Sequence, residues 1–421
     1  MINYRNKGCV SFLLRLFQIR GSIFPKSMSV AVPCGLLATG LRIMVERGLF
    51  EFASDLIIMT DNAAWTAFSA LLGFLVVFRT SQAYTRFWAG CSATHSMRME
   101  WFNACVMFLA YARISKAPQE KVKNFQGKLI RLFSIMHAAA LAELEEINVH
   151  VLDPKDINAF QYEVIDPAGF DEPSLRAIKG STSKVELIFA WVQMLIVESA
   201  EQQIINVPAP VLGTALRLIS EGLNAFNDAL RITYIPFPFP YAQTCDCLLV
   251  LHWIMTPIVV QAWVTHAAWA GVLTFMQVFI VQALNSIAAE IENPFGSDAN
   301  DLDSCDMQKE INVHLAMLVS RSMIELPKLT TNAIRDFDDE FLPSRQSLLG
   351  CLNSVEGEMK ESHRNDQAYS KAESRAGQRA YLAVGMLGRQ SGANGRKSIE
   401  SRGSSRWARG PDGKQELVWA I

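Results

Sequence analysis

Seven histidines, eight cysteines and 41 acidic side chains are spread over this 421-residue chain, and reaction chemistry would need some of them held together at fixed spacing. Zinc proteases, serine hydrolases, phosphate loops and dinucleotide-binding turns carry short motifs because one helix face, one strained elbow or one glycine cradle positions the reacting groups. The sequence has no HExxH, no GxSxG, no P-loop and no GxGxxG after a strand. Cys245 and Cys247 are the one close couple of cysteines and no CxxC pair occurs, so neither a disulfide framework nor a zinc site is expected. His137, Glu143, Glu146 and His150 lie near one another, but the steps from 137 to 150 do not share one helix face, and the group reads as a solvated one. No catalytic residue is expected, and the chain reads as a non-enzyme. A formal charge of −2 excludes the basic excess of a general nucleic-acid binder.

Aromatic and cationic residues have more telling spacing. Ala70, Phe74 and Phe78 recur at every fourth position, which makes one narrow stripe along a helix with about 6 Å per step. Simple packing against a neighbouring helix would leave the same stripe; an apolar ring around a conduit is the functional reading. The run FRTSQAYTRFWAG (78–90) follows, with Arg79 and Arg86 seven positions apart among Tyr84, Phe87 and Trp88. Two guanidiniums at the end of an apolar run are costly in a membrane unless they snorkel, pair or face water.

The elements that must carry these residues are long and apolar. Half the residues are hydrophobic and 19% are charged, which excludes a disordered chain, and 24 Gly exclude a collagen-like one. A mean hydropathy of +0.15 fits apolar spans mixed with a polar domain. Residues 28–45, with Arg42 near the end, and 63–78, ending at Arg79, are the first two candidate spans. Residues 247–264 and 267–289 carry no Asp, Glu, Lys or Arg and are separated by Thr265 and His266 alone. They read as an antiparallel hairpin, or as one very long helix, with a kink at Pro257. Basic residues before the first span predict a cytoplasmic N-terminus and an interfacial helix rather than a cleaved signal. Between the second and third spans, the pattern predicts soluble helices: 128–146, with Leu129, Leu132, Phe133 and Met136 on one face, 185–197 and 211–232, with 153–173 as a loop. No period-2 strand and no internal repeat is visible.

FRTSQAYTRFW resembles the bestrophin family in its bacterial and plant form: Arg, a small polar run, Tyr, then Arg followed by aromatics. IPFPFPYAQ (235–243) before the third span and IENPFGSDANDLD (291–303) after the fourth come in the same order as in that family, and RGSIF (20–24) is a weaker match before the first. The resemblance covers residues 11 to 340 and leaves the tail unmatched. It implies an all-α membrane protein, a homopentameric channel for chloride and bicarbonate, with four membrane helices per subunit and a cytosolic helical domain around one central pore. The family's hydrophobic neck would fall on Ala70, Phe74 and Phe78, with Ala70 smaller than the residue usual there. A cytosolic aperture would fall on Val211 after Pro210, or one register away at Pro208 and Ala209. Arg79 and Arg86 would supply pore-proximal charge. In animal members the acidic loop is a calcium clasp; its pattern is carried here by Asn293, Asp298 and Asp301, oxygen donors suited to Ca2+, with Ser297 where the animal pattern has an acid.

The expected organisation is an interfacial helix at 1–27, two spans with the neck at 28–100, a mainly cytosolic domain at 101–244, a hairpin of spans at 245–290, an acidic clasp and helix at 291–342 and a disordered basic tail at 343–421. The expected partners are copies of the same chain, the bilayer and the permeating anion, with no nucleic acid. A plasma membrane is the first expected address and a plastid or other organelle membrane the second. Three readings compete with an anion channel: a cation-conducting homologue, a non-conducting membrane scaffold, and a secondary transporter, which would show paired repeats and interrupted polar helices.

Overall fold

The structure is a computed structural model that describes residues 17–48, 62–146, 162–296, 298–320, 323, 325–331 and 333, together with two short strands at 407–409 and 415–417. The chain divides into two units, 1–327 and 328–421. In the first, the helices are α1 (Phe24–Glu46), α2 (Asn62–Arg113), α3 (Gln119–Glu146), α4 (Glu172–Gly180), α5 (Lys184–Glu201), α6 (Ala209–Tyr234), α7 (Phe239–Trp263), α8 (Ala267–Ile291) and α9 (Ser304–Leu318). Four of them, α1, α2, α7 and α8, are long and apolar enough to cross a membrane.

α1 begins earlier than expected. Phe24, Pro25 and Lys26 form its first turn, because a proline at the start of a helix surrenders only an N–H that would have no partner there. Its tightest neighbour is α8: a Cβ added at Gly35 would sit 3.0 Å from the Gly271 carbonyl oxygen, and one added at Gly271 would sit 2.1 Å from Thr39 Oγ1. Small residues let membrane helices approach this closely and pack by dispersion where no hydrophobic drive exists. α7 and α8 form the expected hairpin rather than one helix, since Val264, Thr265 and His266 break the run. α7 continues through Pro257.

The second span departs most from expectation. α2 does not end at Phe78 but runs 52 residues to Arg113, about 78 Å of continuous helix. The expected boundary at residue 100 falls inside it, and 101–112 is its far end rather than a separate element. Arg79 does not terminate the helix because it finds partners on α7 and α8, described below.

The far half of α2 packs on α6. Arg86 donates to Ile232 O, Trp101 Nε1 to Ile219 O, and Tyr111 Oη to Val211 O, so the two helices run antiparallel. With α3, α5 and α9 they enclose a core that includes Trp101, Phe108, Phe133, Met136, Ile188 and Phe226. The predicted face of α3, Leu129, Leu132, Phe133 and Met136, is buried there. The Trp101 indole lies against Gly222, where an added Cβ would come 2.3 Å from it. Gly222→Ala is therefore expected to lower stability by about 1–3 kcal/mol through overpacking, read as a fall in the thermal midpoint of the purified protein.

His137 belongs to this core and not to a solvated face. It is fully buried, donates from Nδ1 to Gln308 Oε1 at 2.7 Å, and has no partner at Nε2. Burial, with a smaller contribution from the Arg98 charge, pushes its pKa down to about 4 against the opposing Gln308 bond. In the unfolded chain the imidazole titrates near its ordinary value, so below about pH 6.5 the unfolded chain takes up a proton that the folded one refuses. Stability should fall between about pH 6.5 and 4 by ~1.4 kcal/mol per unit from this group, with no contribution above. His137→Asn should flatten that fall in thermal-unfolding scans; an unchanged slope would assign it to other groups.

Residues 1–16 and 147–161, with Glu146's side chain and His150, lie outside the described residues. Of the expected loop 153–173, the described part holds a short turn at Pro167–Gly169 and the start of α4, where Asp171 caps Ser174 N. In the second unit, Trp407–Arg409 pairs antiparallel with Gln415–Leu417, a ladder the sequence pattern did not predict; the rest of the expected tail, 343–421, lies outside the described residues.

Candidate functional site

Along the first half of α2 one face is buried and the other bare. Leu72, Val76 and Arg79 face inward, packed with Leu249 or bonded to α7 and α8. Ala70, Leu71, Phe74 and Val77 are exposed, Phe74 by 67%. The predicted stripe thus stands free at Ala70 and Phe74, while Phe78 is half-buried against Tyr241 of α7, ring centroids 5.4 Å apart.

Arg79 lies elsewhere. At 100° per residue it sits about 140° around the helix from Phe74, and Arg86 returns to nearly the same side. Arg79 is 7% exposed; its Nη1 donates to Asn285 Oδ1 at 2.8 Å and Asp246 Oδ1 at 3.3 Å, its Nη2 lies 3.6 Å from Glu292 Oε2, and its guanidinium covers the Phe237 ring at 5.9 Å. Arg86 donates to the carbonyls of Glu292 and Ile232, at the C-terminal ends of α8 and α6, where a cation complements the helix dipole. Both arginines are therefore engaged inside the subunit, Arg79 by carboxylates and Arg86 by carbonyls, and do not join the stripe.

The four sequence segments that stood out meet in this layer. Arg79 and Arg86 reach Glu292; Glu292 Oε1 accepts the Phe237 N–H at 3.2 Å; Gly90 backs onto Pro294 and Phe295, leaving 2.6 Å for an added Cβ; and Asn300 Nδ2 donates to Gly21 O at 3.0 Å. Lys26 pairs with Glu290, which also accepts from Asn300. Spacing alone missed Asp246, Asn285 and Glu292; the signal for them was the cost of leaving Arg79 unpaired.

A family model described as bacterial/fungal bestrophin protein matches residues 3–317. This chain belongs to that family. Two relatives carry the name voltage-dependent anion channel-forming protein. One, from Synechocystis sp., is 26% identical over 306 residues, covering 72% of this chain and 90% of its own; the other, from Nostoc sp., is 27% identical over 296 residues, covering 68% and 84%. A crystal structure of a bacterial bestrophin homologue from Klebsiella pneumoniae shares the fold with TM-score 0.56 at 16% identity, covering 71% of this chain and 100% of its own. With its four apolar helices this bestrophin is an integral membrane protein.

The predicted aperture position of the bestrophin lies far from the stripe. Val211 is in the first turn of α6, 40% exposed, with its carbonyl held by Tyr111 Oη. Tyr111 lies 33 residues beyond Phe78 on α2, about 50 Å along the helix, so neck and aperture candidates sit toward opposite ends of one rigid rod. The N–H groups of both Val211 and Leu212 are turned onto Pro208 O, and Pro210 has none, which leaves little at this helix start to attract an anion.

The acidic loop of the bestrophin closes on itself. Asn293 Nδ2 donates to Phe295 O at 2.9 Å, Asp301 Oδ2 accepts the Asp298 N–H at 2.8 Å, and Leu302 N donates to Pro294 O. Gly296 allows this, since a Cβ there would lie 2.6 Å from Asp301 Oδ2. Burial first, then the Asp298 and Glu290 charges, push the Asp301 carboxyl above its ordinary range, against the Asp298 backbone bond. Asp298 itself is exposed. Among the described residues no three His, Cys, Asp or Glu side chains converge on an ion-sized space. Asn293 is engaged through its Nδ2 and Asp301 through Oδ2, so the loop's own hydrogen bonds hold these two expected donors in place.

Proposed function

We propose that this bestrophin is a homopentameric anion channel whose neck is the free stripe of α2 repeated around a central axis. The observation that carries the reading is the bare face at Ala70, Leu71, Phe74 and Val77 on a helix whose opposite face is fully packed. Five such faces brought together form an apolar ring, which blocks ions by dewetting and opens when it widens or hydrates. Anions are favoured by the positive ring edges of Phe74 and Phe78 toward the axis, with Arg79 and Arg86 engaged inside the subunit. The names of the Synechocystis and Nostoc relatives support conduction of anions. Chloride and bicarbonate are the expected permeant ions, and a plasma membrane, with an organelle membrane second, the expected site.

Reversal potentials of the reconstituted protein in asymmetric chloride test the proposal. They should follow the chloride gradient, whereas a potential that follows the cation gradient, or no current, overturns it. The acidic loop acts as a hydrogen-bonded latch between α8 and α1, so the same currents should persist when calcium is removed by a chelator. Loss of current that returns with micromolar calcium would reinstate an ion in the loop.

A further inference from the structure

The three stripe residues are not equivalent. Phe74 and Ala70 are exposed on the subunit, but Phe78 rests on the Tyr241 ring, and behind Tyr241 stands a column of fixed groups. The Phe237 ring meets Tyr241 edge-on at 5.9 Å and is itself buried. Its own backbone is held by Glu292 Oε1, and its ring is covered by the Arg79 guanidinium. Each contact has a reason: Pro236, Pro238 and Pro240 stiffen the segment, Pro238 O takes the Tyr241 N–H at 3.0 Å and so fixes the first turn of α7, and an edge-to-face aromatic pair holds one relative orientation.

We infer that Tyr241 is a positioning residue for the lowest ring of the neck, holding Phe78 in one rotamer while Phe74 remains free to move. This rests on the neck reading above. It makes Phe78 the fixed element of the constriction and Phe74 the mobile one, and it gives the IPFPFPYAQ segment a task, bracing the pore helix from behind. The work is done by the ring and not by the hydroxyl, because the contact is ring to ring.

The test is a double-mutant cycle read as open probability and unitary conductance in single-channel recordings. Tyr241→Ala should change open probability about tenfold with reversal potential unchanged, and Tyr241→Phe should behave as wild type. In a Phe78→Ala background, Tyr241→Ala should add nothing, because its effect passes through the missing ring. Additive effects of the two substitutions, or loss of function in Tyr241→Phe, would overturn the positioning role while leaving the neck intact. If Phe78→Ala alone leaves both parameters unchanged, the neck reading itself fails. Elution of each variant at the wild-type position in gel filtration separates these outcomes from misassembly, and Phe237→Leu, which keeps bulk but loses the edge, should reproduce Tyr241→Ala in weaker form.

Discussion

Replacing Phe74 and Phe78 together by alanine should give a channel that still conducts but no longer closes normally, with the open-to-closed ratio raised about tenfold, the equivalent of ~1.4 kcal/mol. Each substitution removes an aromatic ring from an apolar constriction, and five copies remove ten rings on the pentameric reading. A wider throat lined by methyl groups holds water more readily, so the dewetted barrier falls. Ala70 already leaves the end of the stripe toward the start of α2 wide, so nothing above compensates. The reversal potential should move toward weaker anion preference, because the ring edges are lost with the rings. Patch-clamp comparison with wild type at matched protein density decides; unchanged gating and selectivity would remove the stripe from the pore.

Arg79→Ala should have the largest effect on stability, about 3–5 kcal/mol, read as a fall in thermal midpoint and in yield of assembled protein. The cost comes less from the lost bonds than from what stays behind. Glu292, mostly buried, would keep only the Phe237 N–H, and Asn285 would lose its donor in the helix bundle. Asp246 is largely exposed and can turn to water, which limits its share. Arg79→Lys should not restore stability, because one ammonium cannot reach Asn285, Asp246 and Glu292 together while covering Phe237. Full stability of Arg79→Ala would show that these partners hold nothing together.

The sequence by itself determined the number and approximate place of the apolar helices, because long runs nearly free of charge are legible wherever they occur. It also picked out the stripe of α2, since a period of four on a helix has one geometric meaning, and the four ordered segments that mark the family. The amphipathic α3 was legible for the same reason. What local pattern left out were partners distant in the chain. Arg79 reads as a stop when only its neighbours are visible; in the fold, Asp246, Asn285 and Glu292 come from 167 to 213 positions away and turn it into a strut, so α2 continues to Arg113. His137 reads as part of a solvated acidic face until Gln308 and Trp101 close over it. Local pattern decides which face of a helix is apolar, but only tertiary contact decides whether a polar group on it still has a bond to give.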